Sequence, residues 1–213
     1  MLEVRSLTIA QGERPLWQGL SLTVKAGERL GIFAPSGYGK TTLGRVLASW
    51  QPVGTSGQIL LDGQPVPEQV KGYNPIQLVP QHPEITFNPY RTTRQALWDV
   101  WRPDDAMLAR FMVKPEWLGR KPGQLSGGEL ARIALLRALD PRTRLLIADE
   151  VTAQLDPQIQ RQLWRELMME CEQRGIGILV FSHQQALLRQ ICHRVLRFGE
   201  MQPVTGVLAE NAA

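Results

Sequence analysis

A short stretch near the start of the sequence combines the residue types that bind phosphate. It reads A-P-S-G-Y-G-K-T-T, follows the apolar run Leu30–Phe33 and leads into the amphipathic run Leu43–Trp50. Gly37 and Gly39 allow a tight turn in which several backbone N–H groups face one anion, and the start of the next helix adds its positive dipole end. The pattern therefore predicts a strand, a phosphate-binding loop and a helix. The predicted loop residues are Ala34, Pro35, Ser36, Gly37, Tyr38, Gly39, Lys40, Thr41 and Thr42.

Two side chains of this loop match definite roles toward a nucleoside triphosphate. Lys40 is spaced to reach the β- and γ-phosphates, and the hydroxyl of Thr41 is spaced to bind Mg²⁺. The alternative is an ordinary strand–helix turn, but a Gly-Lys-Thr run at a helix start has little structural reason otherwise. The usual pattern begins with Gly where this chain has Ala34, which disfavours φ > 0 and adds a methyl group beside the phosphates.

Three later apolar runs each end in side chains that are capable of chemistry. Gln81 follows a short predicted strand, Asp149 and Glu150 end the next one, and His183 follows the last. In doubly wound sheets ligands gather at the carboxyl ends of the strands, so one nucleotide could touch all of these groups. Taken alone, each group has a structural alternative: a loop glutamine, a solvated turn or a structural histidine. Together with the phosphate loop they favour a shared site.

These side chains suggest a division of labour in phosphoryl transfer. Asp149 is expected to hold Mg²⁺ directly or through water, and Gln81 to offer an amide oxygen to the metal or to the attacking water. The predicted metal ligands are thus Thr41, Gln81 and Asp149. Glu150 is the predicted catalytic base that accepts a proton from the water or orients it. His183, the second predicted catalytic residue, could donate to the γ-phosphate or hold the water in register.

The sequence S-G-G-E, Ser126 to Glu129, predicts a second phosphate-binding surface. A capping box explains Ser126 and Glu129, but two adjacent glycines in a first helical turn cost helix stability. Gly127 and Gly128 would leave bare N–H groups open to an anion. One nucleotide meets both phosphate surfaces only if the domain folds over it or a second copy supplies one of them.

Composition places the chain among ordinary globular proteins. It has 213 residues, 43% hydrophobic and 21% charged, with a net charge of +4. This length suits one domain with room for a subdomain. The positive charges are scattered, which indicates an anionic ligand or a surface near anionic lipid rather than nucleic acid. Two cysteines at apolar positions fit a reducing compartment. No signal peptide and no apolar run long enough to span a membrane are expected.

Strands that alternate with helices predict an α/β fold with a mostly parallel core sheet. A small helical insert is predicted over Thr92 to about Trp117, and a turn over Gly12–Pro15. Predicted strands lie at Leu2–Ile9, Leu20–Val24, from Leu30, at Gln58–Leu61, Gln77–Val79, Arg144–Ala148, Ile176–Phe181 and Arg194–Phe198.

The motifs together resemble the nucleotide-binding subunit of ATP-binding-cassette (ABC) transporters, in the family's order and over nearly the whole chain. The phosphate loop resembles Walker A, and L-L-I-A-D-E resembles Walker B with its catalytic glutamate. L-S-G-G-E resembles the signature motif, which is highly specific to this family. Gln81 resembles the Q-loop residue, Asp156 that of the D-loop, and His183 the switch histidine. The stretch Val79–Pro89 resembles the nickel and oligopeptide importer ATPases.

The resemblance implies a P-loop ATPase fold with an N-terminal antiparallel β subdomain, comprising residues 1–213 as a single domain. Residues 1–82 and about 144–213 would form the core with the β subdomain, and about 83–143 the helical subdomain. It implies ATP and Mg²⁺ as cofactors, with two such subunits closing head to tail. The implied nucleotide contacts outside the loop are Gln81, Ser126, Gly127, Gly128 and Asp156.

The implied partners are a second ATPase subunit, identical or different, two transmembrane permease subunits and a solute-binding protein, with no nucleic acid. The protein would lie at the cytoplasmic face of the inner or plasma membrane, importing nickel, a metal chelate or a small peptide. Two alternatives stay open: a non-transport ABC ATPase, and a weakly active regulatory cassette. The regulatory-cassette alternative is supported by Ala34 and by Gln11. Gln11 stands where the family usually has an adenine-stacking aromatic residue.

Overall fold

The computed structural model describes residues 1–12, 14–52 and 56–199, without the side chains of Gln11 and Arg14. Two sheets and a set of helices organise these residues. The strands are β1 (Leu2–Gln11), β2 (Arg14–Val24), β3 (Arg29–Phe33), β4 (Ser56–Leu61), β5 (Gln64–Pro65), β6 (Ile76–Val79), β7 (Leu145–Asp149), β8 (Gly177–Ser182) and β9 (Arg194–Arg197). The α-helices are α1 (Lys40–Leu47), α2 (Thr93–Trp98), α3 (Asp105–Arg110), α4 (Gly127–Ala138), α5 (Pro157–Arg174) and α6 (Gln185–Ile191).

The parallel sheet has the strand order β6-β7-β8-β3-β9 and confirms the predicted α/β core. Every residue of β7 and β8 is buried, as expected for apolar strands covered on both faces. Because all five strands run in one direction, their carboxyl ends meet at one edge of the sheet. The loop before α1, the pair Asp149-Glu150 and His183 all follow strands at that edge.

The antiparallel sheet has the order β2-β1-β4-β5 and is built mainly from the N-terminal segments. Its first hairpin is tighter than predicted, because β2 already begins at Arg14 and Ala10 pairs with Pro15. Pro15 is tolerated because β2 is an edge strand, where a missing N–H costs no ladder hydrogen bond. The predicted hairpin turn at Asp62-Gly63 is confirmed, with positive φ at both residues.

The predicted helical insert is broken into short pieces rather than forming a long helix. The helices α2 and α3 are joined by residues 99–104, and 3₁₀ turns follow at Pro115–Gly119 and Pro122–Gln124. Pro103 excludes a continuous helix here, because its ring clashes with the preceding turn. The side chains of Thr92 and Asp104 cap the two helices, and Met112 adopts a positive φ of 53° where α3 ends.

Two apolar clusters hold the helices against the sheets. One fills the side of the parallel sheet that carries α4, α5 and α6, and the other joins α1 to the antiparallel sheet. Gly44 in α1 allows close approach, because a Cβ there would lie 3.0 Å from Phe181 Cε2 and 3.3 Å from Leu78 Cδ1. This glycine therefore serves the packing of α1 on the parallel sheet.

None of the helices in the described part of the chain has the length and apolar character that crossing a membrane demands.

Candidate phosphate-binding and catalytic site

The loop between β3 and α1 is closed on the ammonium group of Lys40. Lys40 Nζ donates to the carbonyl oxygens of Ala34, at 2.6 Å, and Pro35, at 3.0 Å, and the side chain is only 6% exposed. Gly37 and Gly39 adopt φ values of +79° and +93°, which other residues reach only with strain. Since no side chain caps the start of α1, its first N–H groups remain available to an anion.

Ala34 fits its position without backbone strain. It is fully buried, and it does not occur among the non-glycine residues with positive φ in the described part of the chain. The loop therefore does not require a glycine here on conformational grounds. Replacing the usual Gly with Ala34 therefore causes no backbone strain here. The extra methyl group beside the predicted phosphate position remains.

The Thr41 hydroxyl and the Asp149 carboxylate meet at the predicted metal position. Thr41 Oγ1 donates to Asp149 Oδ2 at 2.6 Å, which joins the first turn of α1 to the end of β7. Burial raises the pKa of Asp149 above its ordinary value, the Thr41 hydrogen bond opposes this, and the neighbouring Glu150 charge adds to it. Oxygen donors of this kind are what Mg²⁺ prefers, and a divalent cation would offset the cost of the buried carboxylate.

Glu150 links Lys40 to His183. Glu150 Oε1 lies 2.9 Å from His183 Nδ1 and 3.8 Å from Lys40 Nζ, so both predicted catalytic residues touch each other beside the loop. Glu150 adopts a left-handed φ of 51°, and its N–H donates to the carbonyl of Phe181 at 3.1 Å. A strained residue held by its neighbours is typical of a functional position.

The turn after Glu150 is anchored to α5. The N–H of Ala153 donates to Glu150 O at 3.0 Å, and the buried Thr152 hydroxyl accepts bonds from Gln160 Nε2 at 2.8 Å and Trp164 Nε1 at 3.1 Å. Asp156 ends this turn as the cap of α5, where its side chain accepts from Gln158 N. The backbone of Glu150 is thus held by β8 and by a turn that is anchored to α5.

The tip of α4, meaning Ser126, Gly127 and Gly128, stands apart from the phosphate loop. Ser126 and Glu129 form the expected capping box, with the Glu129 N–H donating to Ser126 Oγ at 3.3 Å. Within residues 1–12, 14–52 and 56–199, no hydrogen bond joins this tip to residues 34–42.

The glycines of the α4 tip also have a packing role that the sequence did not reveal. A Cβ on Gly127 would lie 2.4 Å from Gln154 Oε1, and one on Gly128 would lie 2.6 Å from Leu155 Cδ2. The prediction assigned both glycines to anion binding alone. The turn that follows Glu150 therefore packs directly on the start of α4.

One predicted residue of the site makes no direct hydrogen bond to the Thr41–Asp149 pair among the described residues. Gln81 follows β6 at the correct edge of the sheet, yet it is exposed and no hydrogen bond joins it to Asp149 or Thr41. The side chain of Gln11 lies outside the part of the chain that the structure describes. Trp17 is buried in the core and is 2% exposed.

The residues present fit a magnesium nucleoside triphosphate. One buried cation, uncapped N–H groups at a helix start and a hydroxyl–carboxylate pair occupy one edge of the sheet. Cations and N–H dipoles match phosphate oxygens, whereas the oxygen donors match a hard divalent ion. The remaining pair, Glu150 and His183, can position and deprotonate a water molecule.

This fold and this order of residues define an ATP-binding-cassette ATPase domain. Residues 17–153 match the family model described as ABC transporter, and the chain belongs to this family. The matched range contains the phosphate loop, Gln81, the α4 tip and Glu150, while His183 lies beyond it.

Curated relatives carry the names of importers. The chain is 34% identical to the oligopeptide transport ATP-binding protein AppF of Bacillus subtilis, over 88% of this chain and 63% of that one. It is 32% identical to the nickel import ATP-binding protein NikE of Pseudomonas putida, over 88% and 76%. The chain thus spans less than two thirds of AppF, and 38% of the relative YejF of Escherichia coli. The resemblance to the nickel and oligopeptide branch is confirmed, although spermidine/putrescine and methionine import proteins match at similar identity.

Solved structures share the fold. The dimeric post-hydrolysis state of the ATP-binding cassette MJ0796, bound to ADP and Pi, superposes with a TM-score of 0.77 at 21% identity, over 92% of this chain and 94% of that one. The structure of cbiO1 from Clostridium perfringens, described as part of the ABC transporter complex cbiONQ, gives 0.75 at 25% identity, over 92% and 83%.

Proposed function

We propose that this chain is the ATP-hydrolysing subunit of an ABC importer. The observation that carries the proposal is the grouping of Lys40, Glu150 and His183 at the edge where Thr41 meets Asp149. An ion-pair chain of this kind, beside uncapped helix N–H groups, has the parts needed to bind a triphosphate and to activate water.

Binding depends on the phosphate loop. Lys40 and the N–H groups at the start of α1 hold the β- and γ-phosphates, while the Thr41 hydroxyl and Asp149 hold the magnesium ion, directly or through water. When bound, Mg²⁺ supplies positive charge that offsets the charge developing on the transferred phosphoryl group. Lys40 must exchange its bonds to the Ala34 and Pro35 carbonyls for phosphate oxygens, so the loop is preformed around its own lysine.

Hydrolysis depends on Glu150 and His183. Glu150 takes the proton of the attacking water at Oε1 or Oε2, and the contact from Oε1 to His183 Nδ1 fixes the orientation of the carboxylate. His183 also offers its second ring nitrogen to the γ-phosphate side of the site. Gln81, exposed after β6, approaches the metal or the water when the loop that carries it moves inward.

A second subunit completes the site. The α4 tip carries Ser126 and two glycines, and Asp156 ends the turn that packs on those glycines. Head-to-tail closure of two subunits would bring each tip onto the triphosphate held by the other loop, and this motion would drive the permeases. The pairing accommodates either an identical or a different ATPase subunit.

A groove between α1 and the residues after β6 is the proposed permease contact. It is lined by Arg45, Trp50, Gln51, Ile85, Thr86 and Arg137. Ile85 is 59% exposed and Trp50 is 46% exposed, so two large apolar side chains of this groove face solvent in the isolated subunit. The protein would therefore lie peripherally on the cytoplasmic side of the inner or plasma membrane, against two permease subunits.

The substrate is proposed from the relatives' names alone: nickel, a metal chelate or a small peptide, delivered by a solute-binding protein. The test is to purify the permease assembly through a tag on this chain and measure ATP hydrolysis and nickel or peptide uptake in vesicles. Co-purification of two permease subunits with ATP-dependent uptake supports the proposal. Hydrolysis by a complex that contains no membrane subunit would contradict it.

A further inference from the structure

Three aromatic rings contact one another beside the phosphate loop. The ring of Trp17 lies edge-on to that of Tyr38, with centroids 5.2 Å apart, and edge-on to that of Phe198, with centroids 5.0 Å apart. The centroids of Tyr38 and Phe198 are 6.3 Å apart. We call these three residues the aromatic bracket. They come from β2, from the phosphate loop and from the segment after β9, so the bracket ties the loop to both sheets.

The bracket also holds the loop through a hydrogen bond. Trp17 Nε1 donates to the carbonyl oxygen of Gly39 at 3.0 Å, and the same oxygen accepts the N–H of Leu43 at 2.9 Å as the first bond of α1. Trp17 is only 2% exposed, so water does not compete for its N–H. The Gly39 carbonyl is thus fixed from two directions.

Fixing this carbonyl fixes the next N–H. The peptide between Gly39 and Lys40 is planar and trans, so its C=O and N–H point in opposite directions. Because the carbonyl points into the helix and toward Trp17, the Lys40 N–H points out of the helix start. That N–H is one of the uncapped groups available to an anion.

Glycine at position 39 is needed on two counts. Its φ of +93° is unfavourable for other residues, and a Cβ there would lie 3.2 Å from Trp17 Nε1 and 3.3 Å from Leu16 Cβ. At the other end of the loop, a Cβ on Gly199 would lie 2.6 Å from Pro35 Cδ. The segment that carries Phe198 therefore packs closely on the loop as well.

We propose that Trp17 is a positioning residue for phosphate binding, acting through Gly39 on the Lys40 N–H, with Tyr38 and Phe198 holding its ring in place. This rests on the proposed function of the loop in binding ATP. The indole does not touch the nucleotide. It pre-sets the direction of a donor that would otherwise have to be ordered when the nucleotide binds.

The test compares Trp17→Phe with Trp101→Phe in the full chain. Trp101 Nε1 also donates to a backbone carbonyl, that of Leu136 at 2.9 Å, but far along the chain from the loop. Both changes keep an aromatic ring and remove one indole hydrogen bond, so their effects on thermal unfolding without nucleotide should be similar. ATP titration in EDTA, where hydrolysis does not intervene, should give a Kd raised about three- to tenfold for Trp17→Phe and less than about twofold for Trp101→Phe.

Amide hydrogen exchange without nucleotide gives an independent readout. We expect the peptide containing the Leu43 N–H, which donates to the Gly39 carbonyl, to exchange faster in Trp17→Phe than in Trp101→Phe. If Trp17→Phe does not fold, Phe198→Leu, which loosens the ring but keeps the indole N–H, should raise the Kd about twofold or more. Equal Kd values or equal exchange in the two tryptophan variants would overturn the positioning role. If the parent chain binds no ATP, the proposed function is overturned instead. The hydrogen-exchange comparison would then still test whether the aromatic bracket orders the phosphate loop.

Discussion

The phosphate loop and the α4 tip are both predicted to bind phosphate, yet they are built differently. In the loop, Lys40 is enclosed by carbonyls and linked to Glu150, and Thr41 is bonded to Asp149. At the tip, the Ser126 hydroxyl accepts the Glu129 N–H within its own capping box, and the residue is exposed. The loop is thus held in place by contacts with residues from several strands, whereas the tip is the capped start of one helix.

This difference teaches where each half of the site gains its precision. The loop is pre-organised inside one chain, so its variants should alter binding and hydrolysis of the nucleotide it holds. On the proposed function, the tip contributes only after a second subunit brings a nucleotide to it. The turn Val151–Leu155 connects the two, because it follows Glu150 and packs on Gly127 and Gly128.

The largest effect on turnover with nucleotide binding retained is expected at Glu150. Glu150→Gln keeps the shape of the side chain and removes its capacity to accept a proton, so ATP hydrolysis by the assembled complex should fall at least about 100-fold. ATP binding should be retained, since Lys40 and Thr41 are unchanged. The measurement is steady-state phosphate release alongside ATP titration. Glu166→Gln, a carboxylate on α5 that pairs with Arg110, is the matched control. Unchanged turnover in Glu150→Gln would remove Glu150 from the mechanism.

A smaller loss of hydrolysis is expected at Gly127. Two variants separate the effect of this residue on stability from its effect on ATP hydrolysis. Gly127→Ala should lose stability, because the new methyl meets Gln154 Oε1. Adding Gln154→Ala makes room for that methyl, so unfolding in urea should return toward the parent value. Hydrolysis should remain about tenfold low in the double variant, because the methyl still obstructs the approaching phosphate. Should activity return together with stability, the glycine serves packing and the tip is not a phosphate surface.

Replacing Asp149 by Asn should raise the stability of the fold at pH 7 and abolish ATP hydrolysis. Burial raises the pKa of Asp149 in the folded state. The stability that this group contributes is therefore fully present at pH values below its pKa in the unfolded state. That stability is lost as the pH rises through the pKa of the folded state. Asp149→Asn still accepts the Thr41 hydroxyl and carries no charge. The free energy of unfolding should therefore exceed that of the parent at pH 7, and the gain should shrink as the pH is lowered toward 4. Hydrolysis should be lost.

Asp140 provides the control of opposite sign. Burial alone would raise the pKa of Asp140, but the hydrogen bonds from Arg142 hold it below its ordinary value. Its contribution to folding is thus present above the unfolded pKa and is lost in acid. Asp140→Asn should lower the free energy of unfolding at pH 7. Urea titrations of both variants at several pH values make the comparison, and a loss of stability at pH 7 in both would contradict the assignment for Asp149.

The smallest effect is expected at Ala34. Ala34→Gly should change ATP affinity by less than about threefold, because the position does not need a positive φ and its carbonyl already accepts Lys40. A nucleotide titration checks this directly. A large gain in affinity would favour the weakly active regulatory cassette over a normally competent site.

The sequence predicted the edge that carries the site because apolar runs and the residues that end them are local signals. Asp149, Glu150 and His183 were placed correctly by that reasoning alone. A small helical insert over Thr92 to Trp117 was also predicted, but the helical periodicity did not show that it is interrupted at Pro103. The contacts of Trp17 with Gly39 and of Gln154 with Gly127 could not be predicted either, because they join residues far apart in the chain and depend on packing.

The central claim is that one chain holds half of each reaction centre. The most direct measurement is the structure of the purified Glu150→Gln assembly trapped with ATP and Mg²⁺. We expect a triphosphate held by the phosphate loop of one ATPase subunit, with Ser126 and Gly128 of the other subunit contacting its γ-phosphate. A triphosphate bound with all of its contacts from a single subunit, and the α4 tips facing solvent, would contradict the account.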